Sequence, residues 1–534
     1  MSKLTNIPVI DIFAGPGGLG EGFSSTNKNR KNIFDIKLSI EKDKYAHETL
    51  ELRSFFRKFK KGEVPSEYYE ILQEPDLKTK RTLKQKLFRI FPEEYNTAQK
   101  EAWHAELGTK KYSFNKVNLR IEEVLKGNKN WVLIGGPPCQ AYSVAGRSRV
   151  GGINEDDIRV YLYKEYLRII AKHQPAVFVM ENVKGLLSAK IKEQSVFDLI
   201  KKDLTNPSSV FKKSKSKNYR IYSLVKKPDA FTMEGFPMYK NNKSFVIESE
   251  NYGVPQKRHR VILLGIREDI AQKPETLKHS EKKINLNAVI RDLPKIRSGL
   301  HRKYISSEII DGKKKRYYDK VIDNDKNWLE ITDSFKKEIT SKNGFLNNST
   351  EKKRTISLKG IGSEFVKCNT PYKKNPLYDW YNDPKLEGAC NHISRGHLIQ
   401  DLKRYMFASL FTKTNDRFPR LCDYEQHSKD LLPDHKSANT GKFADRFRVQ
   451  LPNEPATTVT SHISKDGHYF IHFDPNQCRS LTVREAARIQ TFPDNYLFCG
   501  PRTAQYHQVG NAVPPYLAKQ IADIVFNILK INKK

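Results

Sequence analysis

A cysteine held in a stiff loop is the first residue of this chain suited to covalent chemistry. Cys139 sits in GGPPCQAYSVAGR, residues 135–147, directly after an apolar run. Proline fixes its own φ, so Pro137 and Pro138 stiffen the approach to the sulfur. Cysteine attacks as the thiolate, and its ordinary pKa is about 8.5. A lone cysteine is more often a small buried hydrophobe; the Pro-Pro-Cys-Gln140 setting argues for the reactive role. Glu181 and Asn182 end a second apolar run, AVFVMEN (176–182), where a carboxyl group could give or take a proton. Arg258 and Arg260, in QKRHR (256–260), are planar cations able to hold an oxygen in fixed geometry. Near the start, DIFAGPGGLGEGF (11–23) places Gly15, Gly17 and Gly20 in G-x-G-x-x-G spacing. Between a strand and a helix, such a loop lets the backbone approach a nucleotide-like ligand. Glu41 follows Gly20 by 21 residues, the place of an acid that accepts from ribose hydroxyls. The loop and this acid fit a dehydrogenase's dinucleotide as well as any other nucleotide, so the ligand stays open on these two features.

The elements that must position these residues read as strands alternating with helices. IPVIDIF (7–13), IKLSI (36–40), WVLIGG (131–136), AVFVMEN, YRIYSLV (219–225) and RVILLGI (260–266) are short apolar runs of strand character. Helical stretches lie between them, at 45–59 and 158–172. This rhythm predicts a doubly wound α/β fold with a mostly parallel sheet. Ligands of such sheets bind at the carboxyl ends of the strands. The glycine loop, Glu41, the segment after Gly136, and Glu181 all fall there. Residues 53–115 are Lys-rich and read as a helical insertion packed outside the sheet. Near residue 270 the alternation stops, and 270–445 is polar, basic and irregular. Order returns at SLTVREAARIQTF (480–492), a helix, and at PPYLAKQIADIVFNIL (514–529), an amphipathic one.

Composition narrows the partner. The 534 residues carry a formal net charge of +34, and a protein this basic commonly meets a polyanion, nucleic acid first. The 38% hydrophobic content suffices for a core. No apolar run has membrane-spanning length, and the N-terminus lacks a signal-peptide pattern, so a cytoplasmic protein with no membrane partner is expected. The six cysteines form no C-x-x-C pair, which argues against a zinc site.

Six segments in order resemble the cytosine-C5 DNA methyltransferase family: DIFAGPGGLGEGF, GPPCQAYS, ENVKG (181–185), YGVPQKRHRV (252–261), RSLTVREAARIQTFPD (479–494) and GNAVPP (510–515). The resemblance implies S-adenosyl-L-methionine as cofactor and double-stranded DNA as substrate. It implies that Cys139 attacks C6 of the base, that Glu181 acts at N3, and that Arg260 binds O2 with Arg258 in support. Pro138 and Gln140 flank the nucleophile, in a loop that closes over a flipped-out base. Arg147 and Arg149 would then lie near the DNA backbone. Phe13, Ala14, Gly15, Gly17, Gly18 and Leu19 would border the cofactor, with Glu41 on the ribose, Asn118 at the adenine and Asn511 lining the pocket. The family carries an acid where Asn118 stands, and Lys42 follows Glu41 where an aromatic would stack.

The implied organisation is a catalytic domain at 1–285, a target-recognition domain at 286–475, and a return at 476–534. Arg479, Arg484 and Glu485 would brace the recognition domain. A modification enzyme with a cognate restriction endonuclease is the expected setting. The rivals are a tRNA methyltransferase, against which the large variable region speaks, and a DNA-binding protein without turnover. A dehydrogenase leaves Pro-Pro-Cys-Gln and the later segments unexplained.

Overall fold

The computed structural model describes residues 6–28, 31–60, 62–138, 158–191, 193–211, 215–341, 359–368, 373–433 and 445–530. The apolar runs become one eight-stranded sheet: β1 (Ile7–Ile12), β2 (Phe34–Glu41), β3 (Ala102–His104), β4 (Val132–Gly135), β5 (Val177–Val183), β6 (Tyr219–Tyr222), β7 (Val246–Glu248) and β8 (His259–Arg267). The order is β6-β8-β5-β4-β1-β2-β3, with β7 also on β8. Strands β1 to β5 are mutually parallel. β8 runs antiparallel to β5, β6 and β7.

The central strands are mostly apolar because helices cover both faces. One face packs on α6 (Phe114–Leu125), α7 (Ile158–His173) and α8 (Val196–Thr205). The other takes α1 (Gly18–Ser24) and α13 (Pro515–Lys530). Leu517, Ile521, Val525 and Leu529 of α13 are buried at helical spacing, and each contributes about 1.5–3 kcal/mol by that burial. α1 and α13 touch so closely that a Cβ on Gly18 would lie 2.2 Å from the Val513 carbonyl oxygen; any side chain there would push the C-terminal segment off the sheet.

The stretch 53–115 departs from the expected external insertion. It folds as the end of α2 (Lys44–Phe56), then α3 (Ser66–Gln73), α4 (Leu77–Ile90) and α5 (Pro92–Glu101), and finally supplies β3, the edge of the central sheet. Its apolar side chains share a cluster with Leu386, Cys390 and Leu497. Tyr69 donates to Asp383 at 2.7 Å and Gln73 to the Leu386 carbonyl at 3.1 Å. These helices are thus a wedge between the sheet and the second region.

That second region is more regular than its polar sequence suggests. A hairpin, β9 (Arg302–Ile310) and β10 (Lys313–Lys320), precedes α9 (Asp325–Ser341). β11 (Gly362–Lys367) pairs with β12 (Gly388–Ile393), and α10 (Ile399–Asn415) follows. Trp328, Leu402, Tyr405, Met406 and Phe407 form its core. The helices α11 (Val483–Ile489) and α12 (Arg502–Asn511) close the chain onto both halves. Their cluster draws on 286–293 and on 456–512 together, so residues on both sides of 476 share one packed core. Among the described residues no helix is long and apolar enough to cross a membrane.

Candidate active site

β1 and β4 are neighbours, and the chain leaves them toward opposite edges of the sheet, β1 toward β2 and β4 toward β5. This is the switch point at which open α/β sheets bind ligands. The glycine loop follows β1, and Gly136-Pro137-Pro138 follows β4.

The loop is strained and tethered. Phe13, partly buried against the sheet core, has φ +55, while Gly15 and Gly17 have φ +57 and +92. A non-glycine residue in this region costs of order 1–3 kcal/mol and marks functional loops. Glu41, at the end of β2, holds the loop. Its Oε2 accepts from the Gly15 amide at 2.8 Å, and its Oε1 from the amides of Lys42 and Asp43 at 2.9 and 2.7 Å. Burial pushes its carboxyl group up, and these three donors pull it back. Ala14 is half-buried and donates to the Ile40 carbonyl at 3.1 Å. Leu19 is buried in α1, and the Tyr496 hydroxyl donates to the Pro16 carbonyl.

Glu181 and Arg260 meet across the β5–β8 ladder. Their register sets Ile262 opposite Glu181 and Arg260 opposite Val183. Arg260 Nε lies 3.0 Å from Glu181 Oε1, with the two side chains 17% and 13% exposed. A Cβ at Gly136 would stand 2.9 Å from Glu181 Oε2. Glycine there brings the Pro137-Pro138 loop against this carboxylate. Pro138 is half-buried; Cys139, Gln140, Arg147 and Arg149 lie outside the described residues.

Arg258 is set apart from this pair. It is 1% exposed, and its Nη1 donates to the carbonyls of Val459 and Gly510 at 2.9 and 3.2 Å. Burial, with Arg260 beside it, works against its charge. Gln256 does similar work, accepting from Val459 N at 2.7 Å and donating to Gln490 at 2.9 Å. Both side chains tie β8 to the segments around 459 and 490–510, which braces the strand that carries Arg260. Asn511, exposed, ends α12 two residues before Val513, which packs on Gly18.

Asn118 is not brought to the glycine loop. It is buried within α6, and its Oδ1 lies 2.9 Å from His173 Nε2 at the last residue of α7. His173 in turn accepts at its carbonyl from the Trp131 indole, just before β4 begins. That is the amino end of the sheet, away from the crevice. The acid that the fold sets beside Glu41 is Glu106. β3 pairs His104 with Glu41, and Glu106, two residues on, accepts from Lys42 Nζ at 2.9 Å. The signal for it was the short Ala-Glu-Leu after AWH, hidden in a helix-rich stretch. A second unassigned acid is Asp11 of β1. It is fully buried, among the described residues neither carboxyl oxygen makes a hydrogen bond of good geometry, and burial pushes its pKa up to about 8 against the pull of Arg57 and of the Gly20 amide.

Known proteins resemble this chain along most of its length. The model of C-5 cytosine-specific DNA methylases matches residues 83–207 and 229–527, more than half of the chain. The type II methyltransferase M.Bpa9945I of Bacillus paralicheniformis is 32% identical over 537 residues, covering 98% of this chain and 99% of that protein. The type II methyltransferase M.DdeI of Desulfomicrobium norvegicum is 26% identical over 451 residues, covering 80% and 81%. Among solved structures, a prophage-encoded DNA modification methyltransferase of E. coli has the same fold, with TM-score 0.51 and 18% identity over 98% of this chain and all of that one.

Proposed function

The chain belongs to the C-5 cytosine-specific DNA methylase family, and from that premise we propose that it methylates carbon 5 of cytosine within a specific double-stranded DNA sequence. The methyl donor is S-adenosylmethionine, and the setting is the modification half of a restriction–modification system in a bacterial cytosol, with a cognate endonuclease as partner. The observation that carries the reading is the Glu181–Arg260 pair set against the loop that leads to Cys139.

Cytosine C5 is a poor nucleophile. The Cys139 thiolate adds to C6, and the C5–C6 double bond becomes an enamine reactive at C5. Negative charge then develops in the ring toward N3 and O2. Glu181 holds a proton at N3, and Arg260 offers its guanidinium to O2. After transfer the C5 proton leaves, the thiolate is expelled, and the ring is restored. A base inside a duplex is out of reach of these groups, so the cytosine is flipped out, at a cost of a few kcal/mol. The residues around the glycine loop fit the donor: a side chain at Gly15 would meet nothing within 4 Å, and the Glu41 carboxylate stands beside it with lone pairs to spare. Phe13, Ala14, Gly15, Gly17, Gly18 and Leu19 would border S-adenosylmethionine, with Glu41 on its ribose and Asn511 at the rim. When bound, the cofactor supplies an electrophilic methyl group.

Methyl-labelled S-adenosylmethionine, offered with unmethylated DNA and with tRNA in separate reactions, tests the proposal. Label recovered in DNA as 5-methylcytosine is the expected result; label in tRNA instead would move the substrate to RNA. Cys139→Ala should abolish transfer while DNA binding survives. Turnover by that variant would refute the covalent mechanism.

A further inference from the structure

Among the described residues the hairpin β9–β10 has no partner strand beyond its own two. It is joined by Asp311-Gly312, with φ +49 and +72, the left-handed pair of a tight hairpin turn. Eight to nine residues per strand give an arm of about 27 Å. Its root is fastened: Gln400 of α10 accepts from the Tyr304 amide at 3.1 Å and donates to its carbonyl at 3.0 Å. Tyr304 and Tyr318 stack edge-on across the strands, centroids 5.9 Å apart. Further out the arm is exposed on both faces. Isolated two-stranded hairpins are marginal in water, and this one puts apolar side chains at its tip, with Ile309 77% and Ile310 41% exposed. Register pairs Ile310 with Lys313 and Glu308 with Lys315. Arg302, Lys303 and Lys320 stand at the root, so cations line the arm from end to end.

An exposed apolar tip flanked by cations fits a polyanion whose grooves also offer apolar surface. We propose that this hairpin is a DNA arm that lies along the duplex outside the target base, its lysines on phosphates and Ile309 and Ile310 against the groove. Two-stranded ribbons of this kind enter DNA grooves, and apolar wedges from such proteins bear on base steps. The inference rests on the reading of the chain as a DNA methylase.

The test compares the full-length protein with two double variants, Lys313→Ala/Lys315→Ala and Ile309→Ser/Ile310→Ser, for binding to duplex DNA across a salt series. Each neutralised phosphate contact removes about 0.9 from the slope of log K against log salt. The lysine variant should therefore lose about 1.8 in slope and, at low salt, on the order of tenfold in affinity. The isoleucine variant should lose several-fold in affinity with its slope unchanged. Unaltered S-adenosylmethionine binding and thermal unfolding would confirm that both variants are folded. Unchanged affinity and slope for duplex DNA, in an otherwise active enzyme, would overturn the arm and leave the methylase reading standing; so would a slope change confined to tRNA. A wild-type protein that binds duplex with the expected arm dependence but transfers no methyl would instead sink the methylase reading alone.

Discussion

The rim of the sheet and the helix α11 each carry an arginine–carboxylate pair, built from the same chemical groups in different surroundings. Arg479 and Glu485 are 1% and 2% exposed and meet through two hydrogen bonds of 2.7 Å. Both are held further: Glu485 also accepts from Thr482 N at 2.8 Å, and Arg479 also donates to Gln477 and to the Ser480 and Ile296 carbonyls. Glu181 and Arg260 make one contact at 3.0 Å and are several times more exposed. Burial and this dense bonding make the first pair a brace between the two halves. Among the described residues the second pair is held more lightly, Arg260 Nη1 donating also to the His259 carbonyl at 2.9 Å.

The sharpest way to break this contrast is to remove one carboxylate from each pair. Glu181→Gln should cut kcat by about 10²–10⁴-fold, the range of general acid–base catalysis, and change stability by less than about 1 kcal/mol. Single-turnover methylation and a denaturant melt on the same preparation check both. Glu485→Gln should do the reverse. It leaves a buried guanidinium unpaired, at a cost of about 3–5 kcal/mol of stability, while the turnover of molecules still folded stays near wild type. If both variants lose stability alike, the rim pair is structural and the contrast falls.

A subtler division concerns the buried carboxylates themselves. Burial pushes Glu485 up, but the charge and hydrogen bonds of Arg479 outweigh it and hold the group well below the usual carboxylate range. Its contribution to stability is therefore present above the unfolded pKa of about 4.3 and fades as pH falls below it. At Asp11 burial outweighs the pull of Arg57 and of the Gly20 amide, and its pKa is raised to about 8. Above about pH 4 the unfolded chain releases a proton that the folded one keeps, so stability falls as pH rises toward 8. Between pH 6 and 7 Asp11 should cost about 1 kcal/mol, and Asp11→Asn should flatten that slope. Denaturant melts at the two pH values check this; an unchanged slope in the variant would mean that Asp11 is ionised in the fold.

What the sequence disclosed follows from the same physics. The runs WVLIGG, AVFVMEN and RVILLGI were legible because their strands are covered on both faces and admit nearly no polar residue. Glu41 and Glu181 were legible because an acid at the end of such a run stands out. β3 escaped notice: three residues, Ala-Trp-His, at a sheet edge between helices carry no period. The helix α9 was hidden in polar sequence because few of its positions are buried, Trp328 first among them, and α10, though apolar along YMFASLF, was lost in the polar sequence on either side. Asn118 was placed by order along the chain, and only the fold shows that α6 turns that residue toward His173. The brace role of Arg258 depends on carbonyls some 200 and 250 residues away, a relation that no local pattern encodes.

The contact of Gly18 and Gly22 with Val513 and Ala518 has a consequence for the order in which the protein is made. The glycine loop and α1 are synthesised nearly 500 residues ahead of α13, the helix packed against them. At about 5–20 residues per second, roughly half a minute to two minutes of synthesis separates them. A chain interrupted before α13 would carry the glycine loop without the helix that packs beneath it.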